Sequence, residues 1–319
     1  MKNKKEYLEY KIKQIPELPG VYKMLDRKGN IIYIGKSKCL KKRVATYFIN
    51  NPKWEKAKKM VPLIYDIEYI ITDTQLEAML LECKLIKEIK PHFNVQMKND
   101  ERYVYIKIED NHKKLPLSIV YNREENSFGP FRSRSRVEDM IEMMKNLYPL
   151  ENLGGKYKYK YHIFPEQMSE IKFLNNRTIL LELFSNPILI IEFIKELEEN
   201  MLEEAKNERF EMASKYRDLI VSFQHLKSGI INYEQWKEKE IIYTIPVNDY
   251  YKNFYISRGM VVHKEITEDF PDKETLQRMQ MLGRKEDRLY ISEKETIDYW
   301  DIIYSEIQNA PTDFIYIMK

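Results

Sequence analysis

The chain is short of cysteine. Among 319 residues only Cys39 and Cys83 carry thiols, too few for a disulfide framework and in keeping with a reduced compartment. Long apolar runs are missing as well, none approaching the roughly 20 residues of a membrane-spanning helix. The first residues, Met1-Lys2-Asn3-Lys4-Lys5, are basic, but Glu6-Tyr7-Leu8-Glu9-Tyr10 follows where a secretory signal would place its apolar segment. A cytoplasmic location with no membrane partner is therefore expected. Net charge is only +3, which alone does not point to nucleic acid. A content of 43% hydrophobic and 32% charged residues is ordinary for a globular protein, and the length leaves room for two or three domains.

What is present is uneven. Residues 1 to 60 hold 17 lysines and arginines against 5 acidic residues. Clustered cations of this kind bind a phosphate backbone through counterion release. A solvated lysine-rich surface is the competing explanation, and Lys53, Lys56, Lys58 and Lys59 are assigned to it.

Inside that basic region, Val21-Tyr22-Lys23-Met24-Leu25 and Ile31-Ile32-Tyr33-Ile34 are two β-rich runs separated by Asp26-Arg27-Lys28-Gly29-Asn30. Gly and Asn accept the positive φ of a tight turn, so the pattern predicts an antiparallel hairpin. Gly20 opens the first strand and Gly35 closes the second, points where backbone can approach another chain or a ligand closely. Tyr22 and Tyr33 fall at opposite ends of neighbouring strands, and the pattern leaves open which face they share.

After Ser37, an N-cap by residue type, Lys38 to Phe48 reads as a helix with Leu40, Val44 and Tyr47/Phe48 as its apolar stripe. Arg43 and Tyr47, four residues apart, are neighbours on it. A guanidinium beside a phenol, with Lys36, Lys38, Lys41 and Lys42 nearby, suits a phosphate; the bland alternative is a solvated basic helix. A third strand ends at Tyr69-Ile70-Ile71, and Thr74 caps a predicted helix from Gln75 to Lys90, stopped by Pro91. On that helix the neighbours of Glu82 are Ala78, Met79, Leu85 and Ile86, all apolar, which turns its carboxylate toward packed structure. A carboxylate so placed either binds a metal or is satisfied by a Lys or Tyr. Glu77 and Glu88 read as ordinary solvated positions.

Taken together, Gly20-Val21-Tyr22, Tyr33-Ile34-Gly35-Lys36-Ser37, Leu40-x-x-Arg43-Val44-x-x-Tyr47-Phe48, Glu77-Ala78-x-Leu80-Leu81-Glu82-x-x-Leu85-Ile86-Lys87 and Lys90-Pro91-x-Phe93-Asn94 resemble, in this order, the GIY-YIG nuclease domain. The closer resemblance is to the N-terminal half of the UvrC family and its short Cho-like members. It implies an α+β fold with a small three-stranded antiparallel sheet flanked by helices, and hydrolysis of DNA with one divalent ion, Mg²⁺ or Mn²⁺. Carried over, Glu82 is the metal-binding carboxylate, Arg43 steadies transition-state charge, and Tyr22 orients or deprotonates the attacking water. Tyr33, Lys36, Tyr47 and Asn94 form the supporting shell. A phenol has a pKa of about 10, so Tyr22 acts as a base only with a lowered pKa or a relay.

Further along, Tyr103–Ile108 and Leu117–Tyr121 read as strands, Phe128-Gly129-Pro130-Phe131 as a turn, and Arg132-x-Arg134-x-Arg136 as the start of an amphipathic helix through Met140, Met143, Met144 and Leu147. This too resembles UvrC, down to the ending Leu147-Tyr148-Pro149-Leu150. Arg132, Arg134 and Arg136 either extend a DNA path or solvate a helix start. Many UvrC proteins continue with a cysteine cluster. Here the chain reads Lys156-Tyr157-Lys158-Tyr159-Lys160-Tyr161-His162, so no iron–sulfur cluster is expected, and the alternation reads as a strand with one basic face.

Pro187 to about Phe223 is helical in pattern and resembles the UVR motif, a helical hairpin through which UvrC proteins dock on UvrB. Phe210, Ala213, Tyr216 and Ile220 are its expected partner face; the alternative is internal packing. In the last stretch Tyr255–Val262 reads as a hairpin, with helices over Lys273–Leu282 and Glu293–Ile307. The expected division is a nuclease domain over 1–98, a UvrC-like middle region over 99–186, the UVR hairpin over 187–232, and an α+β region of unassigned role over 233–319. The second nuclease and helix-hairpin-helix regions of UvrC have no counterpart in this sequence. The expected activity is one incision, 3′ to a lesion, in double-stranded DNA handed over by UvrB. The other readings are a non-cutting adaptor and a free-standing structure-specific nuclease.

Overall fold

A computed structural model describes residues 2–49, 55–98, 103–110, 116–237, 239–286 and 293–318; Lys53 lies outside them. The chain forms two compact units, one of residues 1–100 with 238–319 and one of residues 101–237.

The first unit begins with helix α1 (Lys2–Gln14), followed by strands β1 (Gly20–Leu25) and β2 (Ile31–Ser37), helices α2 (Leu40–Ala45) and α3 (Glu55–Met60), strand β3 (Asp66–Ile71) and helix α4 (Gln75–Ile89). The strands make an antiparallel sheet in the order β2-β1-β3. Side chains alternate across it. Tyr22 and Met24 pack on one face with Leu40, Val44 and Tyr47, while Val21 and Ile34 pack on the other with Ala78 and Ile86 of α4. In the turn only Gly29 takes a positive φ, of 83°; the Asp26 carboxylate accepts from the backbone N–H groups of Lys28 and Asn30 instead.

The basic helix is shorter than its stripe predicts. Ser37 closes a local turn with Cys39, its Oγ accepting from Cys39 N and donating to Cys39 O, so Cys39 becomes the N-cap. At the other end the Thr46 hydroxyl takes the Arg43 carbonyl, and Tyr47 falls just past the helix. Helix α4 follows its signals closely. Thr74 Oγ1 accepts from Glu77 N, and Lys90 closes the helix at φ 50°.

In the second unit, β4 (Val104–Ile108) lies between β5 (Leu117–Val120) and β6 (Ser127–Phe131). Helix α5 (Arg134–Met144), a hairpin of β7 (Glu151–Leu153) and β8 (Lys156–Lys158), and helices α6 (Glu170–Ser185), α7 (Pro187–Lys206) and α8 (Phe210–Lys237) complete it. The turn expected at Phe128–Phe131 is an edge strand. Pro130 falls where the β4–β6 register shifts, a place that needs no N–H donor. Along β8 the alternation gives a buried Tyr157 between exposed Lys156 and Lys158. One core joins β4, α5, α6, α7 and α8.

The chain then returns to the first unit with β9 (Glu240–Val247), β10 (Tyr250–Ser257), β11 (Met260–Thr267), helices α9 (Lys273–Glu286) and α10 (Glu293–Gln308) and strand β12 (Ile315–Ile317), the sheet running β11-β10-β9-β12. This part grips α4. Lys252 on β10 donates to Asp73 Oδ2 at 2.5 Å and Glu77 Oε2 at 2.9 Å, and Lys87 pairs with Asp298 of α10 at 3.0 Å. Glu77 is therefore not solvated as its neighbours suggest. Its side chain is 12% exposed, held by Lys252 and Lys264.

Candidate active site

Gly35 stands opposite Tyr22 in the β1–β2 register. A Cβ on Gly35 would lie 2.3 Å from the Tyr22 hydroxyl, so a glycine is what lets that phenol lie across β2. The close approach at Gly20 is also internal, against the Ile70 carbonyl. Tyr22 reaches Tyr47, and the two hydroxyls share a hydrogen bond of 2.8 Å. Tyr47 in turn donates to the Tyr33 hydroxyl at 3.4 Å. Three rings with centroids 6.0–6.1 Å apart thus put three hydroxyls in series. The Arg43 guanidinium stands 5.3 Å over the Tyr47 ring, so Arg43 and Tyr47 stay adjacent although only Arg43 is helical.

Glu82 is half-buried on α4, and its Oε1 accepts from the backbone N–H of Lys36 at 3.0 Å. That bond ties α4 to the end of β2. Asn94 is buried and holds the same strand, its Oδ1 accepting from Ile34 N and its Nδ2 donating to Ile34 O, both at 2.9 Å. It therefore braces β2. Two cavities open beside these groups. One of about 200 Å³ is lined by Tyr33, Arg43, Tyr47, Lys56, Ala57 and Met60. The other, of about 300 Å³, is lined by Tyr33, Lys56, Glu82, Asn94 and neighbouring residues. Tyr33 and Lys56 are common to both.

Burial pushes the Tyr22 phenol well above its ordinary range, the Tyr33 and Tyr47 phenols add to the shift, and Arg43 opposes it. Burial raises Tyr33 as well. Tyr22 is thus a neutral phenol in the free protein, its hydroxyl tied to that of Tyr47. Burial also raises the Glu82 carboxyl, against the Lys36 N–H, the Lys36 charge and Arg43. The donor set suits a hard divalent ion: one carboxylate, its Oε1 tied to Lys36 N, facing a cavity wide enough for water. Among the described residues no three His, Cys, Asp or Glu side chains converge on one point, so such an ion would take most of its ligands from water and substrate. Burial raises the Cys83 thiol to about 12, which removes it as a nucleophile.

A family model for the UvrC-like GIY-YIG domain matches residues 18–95, and one for the UvrB/uvrC motif matches residues 191–226. UvrABC system protein C of Thermoanaerobacter sp. is 35% identical over 237 residues, 68% of this chain and 38% of that protein. The Acetivibrio thermocellus protein of that name is 34% identical over 281 residues, 81% of this chain and 44% of that protein. Residues 18–95 are a UvrC-like GIY-YIG domain. The chain spans less than half the length of these curated UvrC relatives. The crystallised GIY-YIG N-terminal endonuclease domain of Thermotoga maritima UvrC, bound to magnesium, is 39% identical; the match covers 28% of this chain and 98% of that one, with a TM-score of 0.26.

As a UvrC homologue the chain brings Tyr22, Tyr33, Lys36, Arg43, Tyr47, Glu82 and Asn94 into one region of the first unit. Lys36 contributes its N–H to Glu82. Lys38 and Lys42 are exposed and Lys41 half-buried, with Lys42 3.7 Å from Glu17. Arg132, Arg134 and Arg136 are exposed in the second unit; Arg134 pairs with Glu138 at 2.6 Å and meets the Tyr121 ring, and Arg132 stands over Tyr103. The UVR hairpin is α7 with α8. Phe210 is 68% exposed and Ala213 half-buried. Tyr216 and Ile220 instead face the core of that unit, the Tyr216 ring tilted against Tyr159 and edge-on to Tyr161. Internal packing thus accounts for the inner face of α8, because the helix continues well beyond the short hairpin and needs an apolar side against α7.

Lys56 is the site residue that sequence reasoning passes over. It lies on a separate short helix with two other lysines, Lys58 and Lys59, and nothing in its neighbours sets it apart. Only the fold brings its ammonium 4.8 Å over the Tyr33 ring.

Proposed function

We propose that this UvrC homologue is a divalent-metal-dependent endodeoxyribonuclease of nucleotide excision repair. It hydrolyses one phosphodiester bond, 3′ to a lesion, in DNA presented by UvrB. The observation that carries the reading is the convergence of three hydroxyls in series, the Arg43 guanidinium and the Glu82 carboxylate around adjoining cavities. Similarity to UvrC supports an excision-repair nuclease, and the placement of the single incision is inferred from the first-domain match.

Water attacking a phosphodiester must lose a proton. Tyr33 and Tyr47 line the cavities, so their hydroxyls orient the attacking water, with Tyr22 fixing the Tyr47 hydroxyl from behind, and the proton passes to solvent at the open cavities. Arg43 faces the same space and takes the charge that grows on the phosphoryl oxygens, its planar fork matching two of them. Glu82 would hold one Mg²⁺ or Mn²⁺, which supplies Lewis-acid charge stabilisation when bound. Asn94 and the Lys36 N–H keep β2 and α4 in register so that these groups stay aligned. On the hairpin, Phe210 and Ala213 offer the outer apolar face to UvrB.

The test is cleavage of an end-labelled duplex carrying one bulky lesion, with and without a UvrB complex. A single 3′-side nick that depends on UvrB is expected. UvrB-independent cutting of branched DNA would favour a free-standing nuclease.

A further inference from the structure

The wall between the two cavities is made by Tyr33 and Lys56. Lys58, on the same short helix, pairs with Glu55 at 2.7 Å. Lys56 has no carboxylate partner among the described residues, and its ammonium sits 4.8 Å over the Tyr33 ring. Desolvation, with the nearby Lys98 charge, lowers its pKa, as expected for a cation held against protein beside a like charge without a counterion. Lys56 thus lines one cavity together with Arg43 and the other together with Glu82.

We propose that Lys56 is a substrate-binding residue that takes a backbone phosphate of the DNA strand being cut. The inference rests on the nuclease reading and adds a contact to it. Arg43 and Glu82 attend the scissile phosphate, and Lys56, at the shared wall, holds the strand across both cavities. The Tyr33 face keeps the ammonium aimed inward by cation–π attraction, so that the phosphate meets a pre-positioned charge. Phosphate contacts of this kind fix register on the duplex and carry no sequence information.

The experiment measures duplex binding by fluorescence anisotropy in the full chain carrying Glu82→Gln, so that cutting is not required. Each phosphate contact adds about 0.9 to the slope of log affinity against log salt. Lys56→Gln should lower the affinity and reduce that slope by about 0.9, so that the loss of affinity between about 50 and about 200 mM salt shrinks roughly 3.5-fold. Lys56→Arg should keep the slope, and Lys59→Gln, an exposed neighbour on the same helix, should match the parent. Unchanged affinity and slope in Lys56→Gln would overturn the proposal, as would salt-independent binding by the parent. Cleavage by the wild-type chain is scored separately on the same duplex, so failure of the nuclease reading is told apart from failure of the Lys56 contact.

Discussion

The hydroxyls of Tyr22 and Tyr47 lie 2.8 Å apart, and Tyr47 donates onward to Tyr33. A phenol has one proton to donate, so with Tyr47 donating to Tyr33 it is Tyr22 that donates to Tyr47. The series therefore has a direction, from the buried ring toward the cavities.

Tyr47→Phe keeps the ring packing and removes the middle hydroxyl. The cleavage rate should fall by about 10²–10⁴-fold, the usual worth of a positioned acid or base, with duplex affinity unchanged. Single-turnover cleavage paired with anisotropy measures both. A variant that loses binding but keeps its single-turnover rate would mean that Tyr47 is only a packing residue.

The pair Lys87–Asp298 ties α10 to the helix that carries Glu82. Their side chains are 15% and 3% exposed, so Lys87→Met alone should remove a cation from a buried carboxylate. Such a loss costs about 3–5 kcal/mol. Urea unfolding should give that decrease in stability, with much of it recovered when Asp298→Leu is added.

Arg284 holds the Glu240 carboxyl below its ordinary value of 4.5, donating from Nε and Nη2 at 2.8 Å, with Gln280 assisting and burial opposing. A depressed carboxylate stabilises the fold above its unfolded pKa and loses that contribution as pH falls through the folded value. Glu240→Gln should therefore lower stability at neutral pH and flatten its decline below about pH 4.5. Urea midpoints measured across that acid range check the sign.

Much of the nuclease half was legible because its signals are local. Thr74 and Lys90-Pro91 mark the ends of α4, and alternation marks β1 and β2. The motifs place Tyr22 on β1, Arg43 on α2 and Glu82 on α4. Helix α6 was not legible. Its buried residues, Phe173, Asn176, Ile179, Leu180, Leu183 and Phe184, lie on one face, but the polar Asn176 within that face and the exposed apolar Ile171 and Leu174 on the other side blur the period that marks it. The return of residues 238–319 to the first unit was hidden too, since Lys252 and Glu77 are 175 residues apart. Lys56 escaped for a related reason, its meaning set by a ring on another element.

The central claim is that Glu82 serves metal-dependent cutting. It is tested most directly by comparing wild type with Glu82→Gln on the lesion-bearing duplex, with Mg²⁺ or Mn²⁺ and after chelation, in the presence of UvrB. The account predicts a nick by the wild type that chelation abolishes, and no nick by Glu82→Gln, which still binds the duplex. A nick that survives in Glu82→Gln, or a wild type that binds UvrB and DNA yet cuts with neither metal, would contradict it.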